Sequence, residues 1–493
     1  MTDTAAVLAE LERDAAEGAG ASFVRLAAHY FAATAAGDGP VSTPLTPAEL
    51  SRRFDEPLPR AGRPLAEVLE RLARDVVADS NRLTHPMYLG HQVSAPLPAA
   101  VWTESVISAL NQSVAVREMS PAVTAVEHRV IRWMTDLAGW DERAGGTLTS
   151  GGTEATFTAL LAARAACLPD AWERGVGADA GPLPVLVCGE HAHYAVGRAA
   201  GELGLGMRSV VTVPSREWRM DAAALETVLD GLAAEGRRVM AVVATAGSTA
   251  TGSFDDLETI GALCEARGLW LHVDGAHGAS ALLSEAHRHR LRGLARARSL
   301  AWDPHKMMLL PLSAGMVLVR DRRDLEAAYA QRAPYLFHGT DEAFVWDQGI
   351  RSFQCSRRAD VLKLWVALER YGADGIGALY EHLCALAAAL HRKLEAHPEF
   401  EPLHAPESNI LCFRWLGPAG HGAFDARALD EPNRALRERY NAGGAGWITT
   451  TVLGGRRVLR VTVMNPRTTE AHLDRLLEGL AAVARNPAQG AAR

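Results

Sequence analysis

The stretch Leu269-Trp270-Leu271-His272-Val273-Asp274-Gly275-Ala276 reads as a strand buried on both faces, ending on a carboxylate and then on small residues. Working outward from it, strand-like runs at 185–188, 209–213, 240–244 and 314–319 alternate with helical stretches at 153–166, 221–235 and 255–267. That alternation predicts an α/β fold with a mostly parallel, doubly wound sheet covered on both faces. Ligands of such sheets gather at the carboxyl ends of the strands, so chemistry is expected there.

Residues 4–36 read as helical, and 37–47 as a linker punctuated by Gly, Pro, Ser and Thr. Thr46 and Pro47 then open a new helix as N-cap and first helical residue. Amphipathic stretches follow at 65–78, 99–116 and 121–138, and again at 360–371 and 375–397. Beyond them, strand and helix alternate at 410–415, 425–441, 447–451, 459–463 and 469–484, as in a smaller α/β unit. The expected division is an N-terminal helical segment over 1–84, a large domain over 85–372 and a small C-terminal domain over 373–493. The first segment cannot form a core alone and is expected to pack on a larger body or a second subunit.

At 493 residues, 48% hydrophobic and 22% charged, the chain has the balance of an ordinary globular protein. A formal net charge of -7 and a pI near 6.2 argue against nucleic acid as a partner. Six cysteines (167, 188, 264, 355, 384 and 412) include no C-x-x-C pair and no metal-ligand spacing, and read as reduced thiols of a cytoplasmic protein. The first thirteen residues carry three acidic side chains and no basic region ahead of an apolar one, unlike a signal peptide. Apolar runs such as 239–246 are too short to span a bilayer, so no membrane partner is expected.

Four segments carry candidate chemistry. Ser150-Gly151-Gly152-Thr153 precedes an alanine-rich helix, where close backbone approach and free N–H groups suit a phosphate. The same residues also suit ordinary turn and capping chemistry. His191-Ala192-His193-Tyr194 follows a strand without the carboxylate spacing of a zinc site, so no metal is expected. Asp274 either caps the turn after its strand or meets a cation from outside the chain. In Trp302-Asp303-Pro304-His305-Lys306-Met307-Met308, a lysine stands in an otherwise apolar run, either snorkelling to the surface or held ready as a nucleophile. No G-x-S-x-G elbow supports a serine hydrolase. Taken in order, a phosphate turn, a histidine, a strand-end aspartate and a lysine are the parts of a pyridoxal phosphate site.

The sequence resembles the group II pyridoxal-phosphate-dependent amino-acid decarboxylases, which include glutamate, cysteine-sulfinate, aromatic-amino-acid and 2,4-diaminobutyrate decarboxylases. The resemblance is carried by residues 149–153 (TSGGT), 191–195 (HAHYA), 244–255 (ATAGSTATGSFD), 269–276 (LWLHVDGA) and 302–308 (WDPHKMM). Residues 354–365 (QCSRRADVLKLW) and 459–466 (LRVTVMNP) extend it. It implies fold type I, decarboxylation of an L-amino acid to its amine and CO2, and a homodimer with shared active sites. It also implies that Lys306 carries the cofactor, Asp274 pairs with its pyridine nitrogen and His193 stacks on its ring. Gly152, Thr153, Ser299 and His305 are then the phosphate holders, while Thr249 and Ala276 touch the ring. Arg460 matches the arginine that meets the substrate α-carboxylate, and Tyr335 the tyrosine of a catalytic loop. His277 departs from the family, standing where a bulky aromatic is common, and so do Trp346 and Arg117 where glutamate-type enzymes tend to show tyrosine. His91 and Arg117 favour an anionic side chain, whereas Asn111-Gln112-Ser113 resembles the diaminobutyrate enzymes. The expected substrate is a small polar or acidic amino acid. The alternatives are 2,4-diaminobutyrate, an aromatic amino acid, or an aldehyde-forming reaction on the same fold.

Overall fold

A seven-stranded sheet lies at the centre of the computed structural model, which describes residues 4–43, 45–178, 181–329, 346–417 and 426–486. Its strands are β1 (Gly145–Thr149), β2 (Val185–Gly189), β3 (Val210–Val213), β6 (Val239–Thr245), β7 (Trp270–Asp274), β8 (Ser299–Trp302) and β9 (Gly315–Val319). A two-residue-wide ribbon, β4 (Ser215–Arg216) with β5 (Arg219–Met220), follows β3. The order across the sheet is β1-β9-β8-β7-β6-β2-β3. All neighbours from β8 to β3 are parallel, and β9 runs antiparallel to both β8 and β1. The mostly parallel sheet is therefore as expected. β1 and β8 lie outside the expected runs; the four buried residues of β8, Ser-Leu-Ala-Trp, fit strand and helix equally well.

The helix Gly152–Cys167 packs against this sheet through small side chains. Ala155 and Ala159 are fully buried with Ala301, Val317, Val319 and Leu325. Alanines at helical spacing let the helix axis lie close to the strands, which brings its N-terminus down onto the residues that follow β8. Longer side chains at those positions would lift the helix away.

A second sheet is antiparallel throughout, in the order β10 (Phe400–Pro402), β11 (Ile410–Trp415), β13 (Arg456–Thr462), β12 (Thr449–Leu453). Its β12–β13 hairpin closes on Gly454 and Gly455, with φ of 56° and 74°. Two consecutive left-handed residues make the tight turn whose twist suits a hairpin. That is why β13 starts at Arg456, ahead of the expected 459.

Elsewhere the helical readings hold with shifted ends. Helices Thr4–Asp14 and Glu17–Ala36 replace one continuous stretch. At Thr46 a capping box forms, with Thr46 Oγ1 accepting from the Glu49 N–H (3.2 Å) and Glu49 Oε2 from the Thr46 N–H (2.8 Å). Helix Pro98–Leu110 stops short of the expected residue 116, because Asn111 turns left-handed (φ 45°). The chain then runs alongside Arg357 and Arg358, where the Val114 N–H donates to the Arg357 carbonyl (2.8 Å). Val361–Glu395 is a long helix broken at Gly372 (φ 71°, ψ 161°), matching the two expected stretches. Among the described residues, no helix is long and apolar enough to cross a membrane, and the six cysteines are unpaired.

Candidate active site

Five strand ends converge on a cavity of about 320 Å³. After β1 comes the turn Ser150-Gly151-Gly152. Gly152 is tolerated there and a larger residue is not: a Cβ would lie 2.8 Å from Ala276 Cβ and 2.9 Å from Asp303 Oδ2. From β2 the chain brings His193, from β6 Gly247 and Thr249, from β7 Asp274, Ala276 and His277, and from β8 Asp303, His305 and Lys306. The carboxyl edge of a parallel sheet gathers these groups because every crossover returns the chain to the same end.

Lys306 Nζ lies 3.1 Å from Asp303 Oδ2, and His305 Nε2 lies 3.6 Å from the same oxygen. Asp303 is buried and its Oδ1 has no hydrogen-bond partner among the described residues. His305 is tied down on its other side, where its N–H (3.1 Å) and Nδ1 (2.7 Å) both face the Ala314 carbonyl. A carbonyl only accepts, so Nδ1 carries the proton. Burial holds the His305 pKa below the ordinary value, with Asp303 opposing and Lys306 reinforcing the shift.

Asp274 Oδ1 accepts from the Ala276 N–H (3.2 Å), which orients the carboxylate at the strand end. Across the cavity, His193 Nδ1 accepts from the Ala195 N–H (3.3 Å), which leaves the proton on Nε2. Burial lowers the His193 pKa, opposed by Asp274, so the ring is neutral near pH 7. His277 Nε2 meets Asn409 Oδ1 at 2.7 Å, and the Asn409 amide nitrogen donates to the Val463 carbonyl (2.8 Å). That fixes the amide's orientation, so His277 Nε2 is the donor. Burial, helped by Lys306, pushes its pKa down to about 3.

The expected residues divide into two sets. Gly152, Thr153, His193, Thr249, Asp274, Ala276, His305 and Lys306 all line the one cavity. Ser299 does not, and the expectation of a phosphate contact is corrected: it begins β8, is fully buried, and its Oγ is engaged by Trp270 Nε1 (2.8 Å) and His272 Nδ1 (2.9 Å). Arg460 lies on β13 outside the cavity lining, buried, with Nε and Nη2 unpartnered among the described residues. Its charge depresses the pKa of both His91 and His277, with burial the larger cause in each case. His91 and Arg117 are exposed and outside the lining, and the Arg117 N–H donates to Asp347 Oδ1 (2.9 Å). Tyr335 lies outside the described residues.

Sequence reasoning passed over two lining carboxylates. Asp303, three residues before Lys306, was legible as a charge partner in the quoted stretch. Glu154 accepts from the Ser150 N–H (2.9 Å), Ser150 Oγ (2.7 Å) and the Gln354 amide (3.0 Å), and only the fold brings Gln354 there.

The donor set fits pyridoxal phosphate: a lysine, a carboxylate and a flat-faced histidine share one cavity with a glycine turn that a Cβ would block. The architecture is fold type I, similar to the crystal structure of mouse CSAD in apo form. That match has a TM-score of 0.89 at 29% identity and covers 98% of this chain and 99% of that one. The chain belongs to the pyridoxal-dependent decarboxylase family, whose conserved domain matches residues 47–416, and is thus a pyridoxal-phosphate-dependent carboxy-lyase acting on an amino acid. It is 36% identical to an L-2,4-diaminobutyrate decarboxylase of Rhizobium meliloti over 436 residues, 87% of this chain and 84% of that protein. It is also 33% identical to the cysteine sulfinic acid decarboxylase of Mus musculus over 440 residues, 87% of this chain and 88% of the relative.

Proposed function

We propose that the protein decarboxylates a small polar or acidic L-amino acid. The observation that carries this reading is that Lys306, Asp274, His193 and the Gly151-Gly152 turn open onto one cavity of about 320 Å³, a size suited to the cofactor and a small substrate. Arg460 adds a buried guanidinium with two nitrogens unpartnered among the described residues, a group that seeks an anion such as an α-carboxylate. The named relatives act on diaminobutyrate and cysteine sulfinic acid, both small and polar.

Bound pyridoxal phosphate supplies an electron-withdrawing ring that accepts the electron pair left by departing CO2. Lys306 would hold the cofactor through its side-chain amine. Asp274 would keep a proton on the cofactor's pyridine nitrogen, and neutral His193 would offer its flat face to the ring. Gly152, Thr153 and His305 hold the phosphate, with Thr249 and Ala276 at the ring. Tyr335 returns a proton to Cα once CO2 has left, a role that rests on the family resemblance. If Tyr335→Phe lowers amine more than CO2 and yields aldehyde, that role stands; equal loss without a side product removes it.

The reading extends to a cytoplasmic homodimer with shared sites, in which segment 1–84 covers a partner while 85–372 and 373–493 form the large and small domains. Helix Thr4–Asp14 buries no residue, and Val7, Leu8, Leu11, Phe23 and Val24 are all exposed, a patch suited to a second subunit. The test of the activity is a screen of the holoenzyme for paired CO2 and amine release. It compares aspartate, glutamate, cysteine sulfinate, 2,4-diaminobutyrate and the aromatic amino acids. Highest kcat/KM on an aromatic amino acid would refute the substrate class.

A further inference from the structure

The segment Arg357-Arg358-Ala359-Asp360-Val361-Leu362-Lys363 lies outside the cavity, yet it contains the most enclosed lysine of the chain. Lys363 is fully buried. Its Nζ donates to the Ser313 carbonyl at 2.6 Å and reaches the Pro311 carbonyl at 3.5 Å. Glu104 Oε1 (3.0 Å) and Asp360 Oδ1 (2.9 Å) flank it as ion pairs. Arg358 bridges the same two carboxylates, at 2.5 Å to Glu104 and 3.0 Å to Asp360, so two cations face two anions in one cluster. Burying an ammonium is costly unless it is paired and hydrogen-bonded, and here both conditions hold.

What the ammonium grips is the turn that leaves Lys306. Leu309 is buried with φ 57°, a left-handed conformation that a leucine adopts only where its surroundings impose it. Those surroundings can be named. The Leu97 N–H donates to the Leu309 carbonyl (2.8 Å), Ser94 Oγ donates to the His305 carbonyl (2.9 Å), and Lys363 holds Ser313 and Pro311. Adjoining these, Leu312 lines the cavity, and the Ala314 carbonyl accepts both His305 hydrogen bonds. Ser313, which takes the Lys363 hydrogen bond, directly precedes Ala314, whose carbonyl fixes His305, the neighbour of Lys306.

We propose that Lys363 is a positioning residue: its buried ammonium sets the 309–314 turn, and through Ala314 and His305 it sets the phosphate side of the cofactor site. The proposal rests on Lys306 and His305 being the cofactor residues. Lysine suits the task because its compact ammonium has three rotatable donors that turn toward acceptors on several sides, where the donors of a guanidinium are confined to one plane. In a chain with 51 basic side chains, only three are lysines, at 306, 363 and 393.

Arg358 supplies the matched control, since it belongs to the same charge cluster but makes no hydrogen bond to the turn among the described residues. The experiment compares Lys363→Met, Lys363→Gln and Arg358→Met as holoenzymes. It measures the cofactor dissociation constant by absorbance on dilution, and the urea midpoint of each protein. The expected result is a dissociation constant raised about tenfold to a hundredfold in Lys363→Met. Lys363→Gln, which keeps N–H donors, should lie in between, and Arg358→Met should stay within about twofold of the parent even if its midpoint falls. Should Lys363→Met fail to fold, Lys363→Gln against Arg358→Met decides. Parental affinity in the Lys363 variants, or an equal loss in Arg358→Met, would overturn the proposal. Borohydride reduction of the parent holoenzyme separates the two readings, because a pyridoxyl label away from Lys306 rejects the site itself rather than the role of Lys363.

Discussion

The turn after β8 carries a lysine on each side, and the two are held in opposite ways. On the front, Lys306 has one ion-pair partner among the described residues, Asp303, and opens onto the cavity. On the back, Lys363 is closed off from solvent, its ammonium shared among two carbonyls and two carboxylates. The side chains are identical, so the difference lies in how far their surroundings satisfy them. A saturated ammonium is a fixed brace. One with a single counter-ion and open space beside it keeps the freedom to exchange its partner for a ligand.

The largest effect that would break this contrast is on chemistry. Lys306→Ala should abolish covalent cofactor retention and lower activity by more than about 10⁴-fold, as expected when a nucleophile is removed. Reductive labelling and peptide mapping have only three lysines to distinguish. A label on Lys363 would erase the distinction between front and back.

Stability should divide the other way. Lys363→Met leaves Glu104 and Asp360 with Arg358 alone and should destabilise the apoprotein by about 3 kcal/mol in urea denaturation. Lys306→Ala, which vacates a cavity wall, should cost less than about 1 kcal/mol in the same assay. Equal costs would mean that Lys306 too is a structural brace.

Buried imidazoles lie both at the cavity, where His277 is, and inside the sheet, where His272 meets Ser299, and pH should report on them. Burial pushes His277 to about 3 and His272 to about 4, against an unfolded value of 6.5. Above 6.5 both states are neutral at these sites. As pH falls through 6.5 the unfolded chain takes up protons first, so stability is lost. Between pH 7.5 and 6 the loss should be about 1–2 kcal/mol, read from urea midpoints. A flat profile would show that these rings ionise as readily folded as unfolded.

The smallest effect belongs to the third lysine. Lys393 pairs with Asp474 (2.7 Å) and Glu470 (3.4 Å) on the surface. Lys393→Ala should change neither cofactor retention nor the urea midpoint measurably, since exposed pairs contribute little. A clear effect would mean that pairing on the surface matters as much as pairing in the core.

The amino-acid order by itself determined the alternation of strands and helices, and with it the parallel sheet and the edge where ligands collect. It also exposed Lys306, Asp274, His193 and the Gly151-Gly152 turn, because each sits next to a strand or helix end whose pattern is local. The tertiary structure decided what depends on partners distant in the chain. Ser299 was expected as a phosphate contact only through the family resemblance. Its hydroxyl faces Trp270 and His272 instead, because a strand carries its two ends to opposite edges of the sheet. Gln354 reaches Glu154 across 200 residues, and Lys363 grips Ser313 across 50. No spacing rule encodes either contact, since a hydrogen bond between remote segments exists only once packing has fixed both.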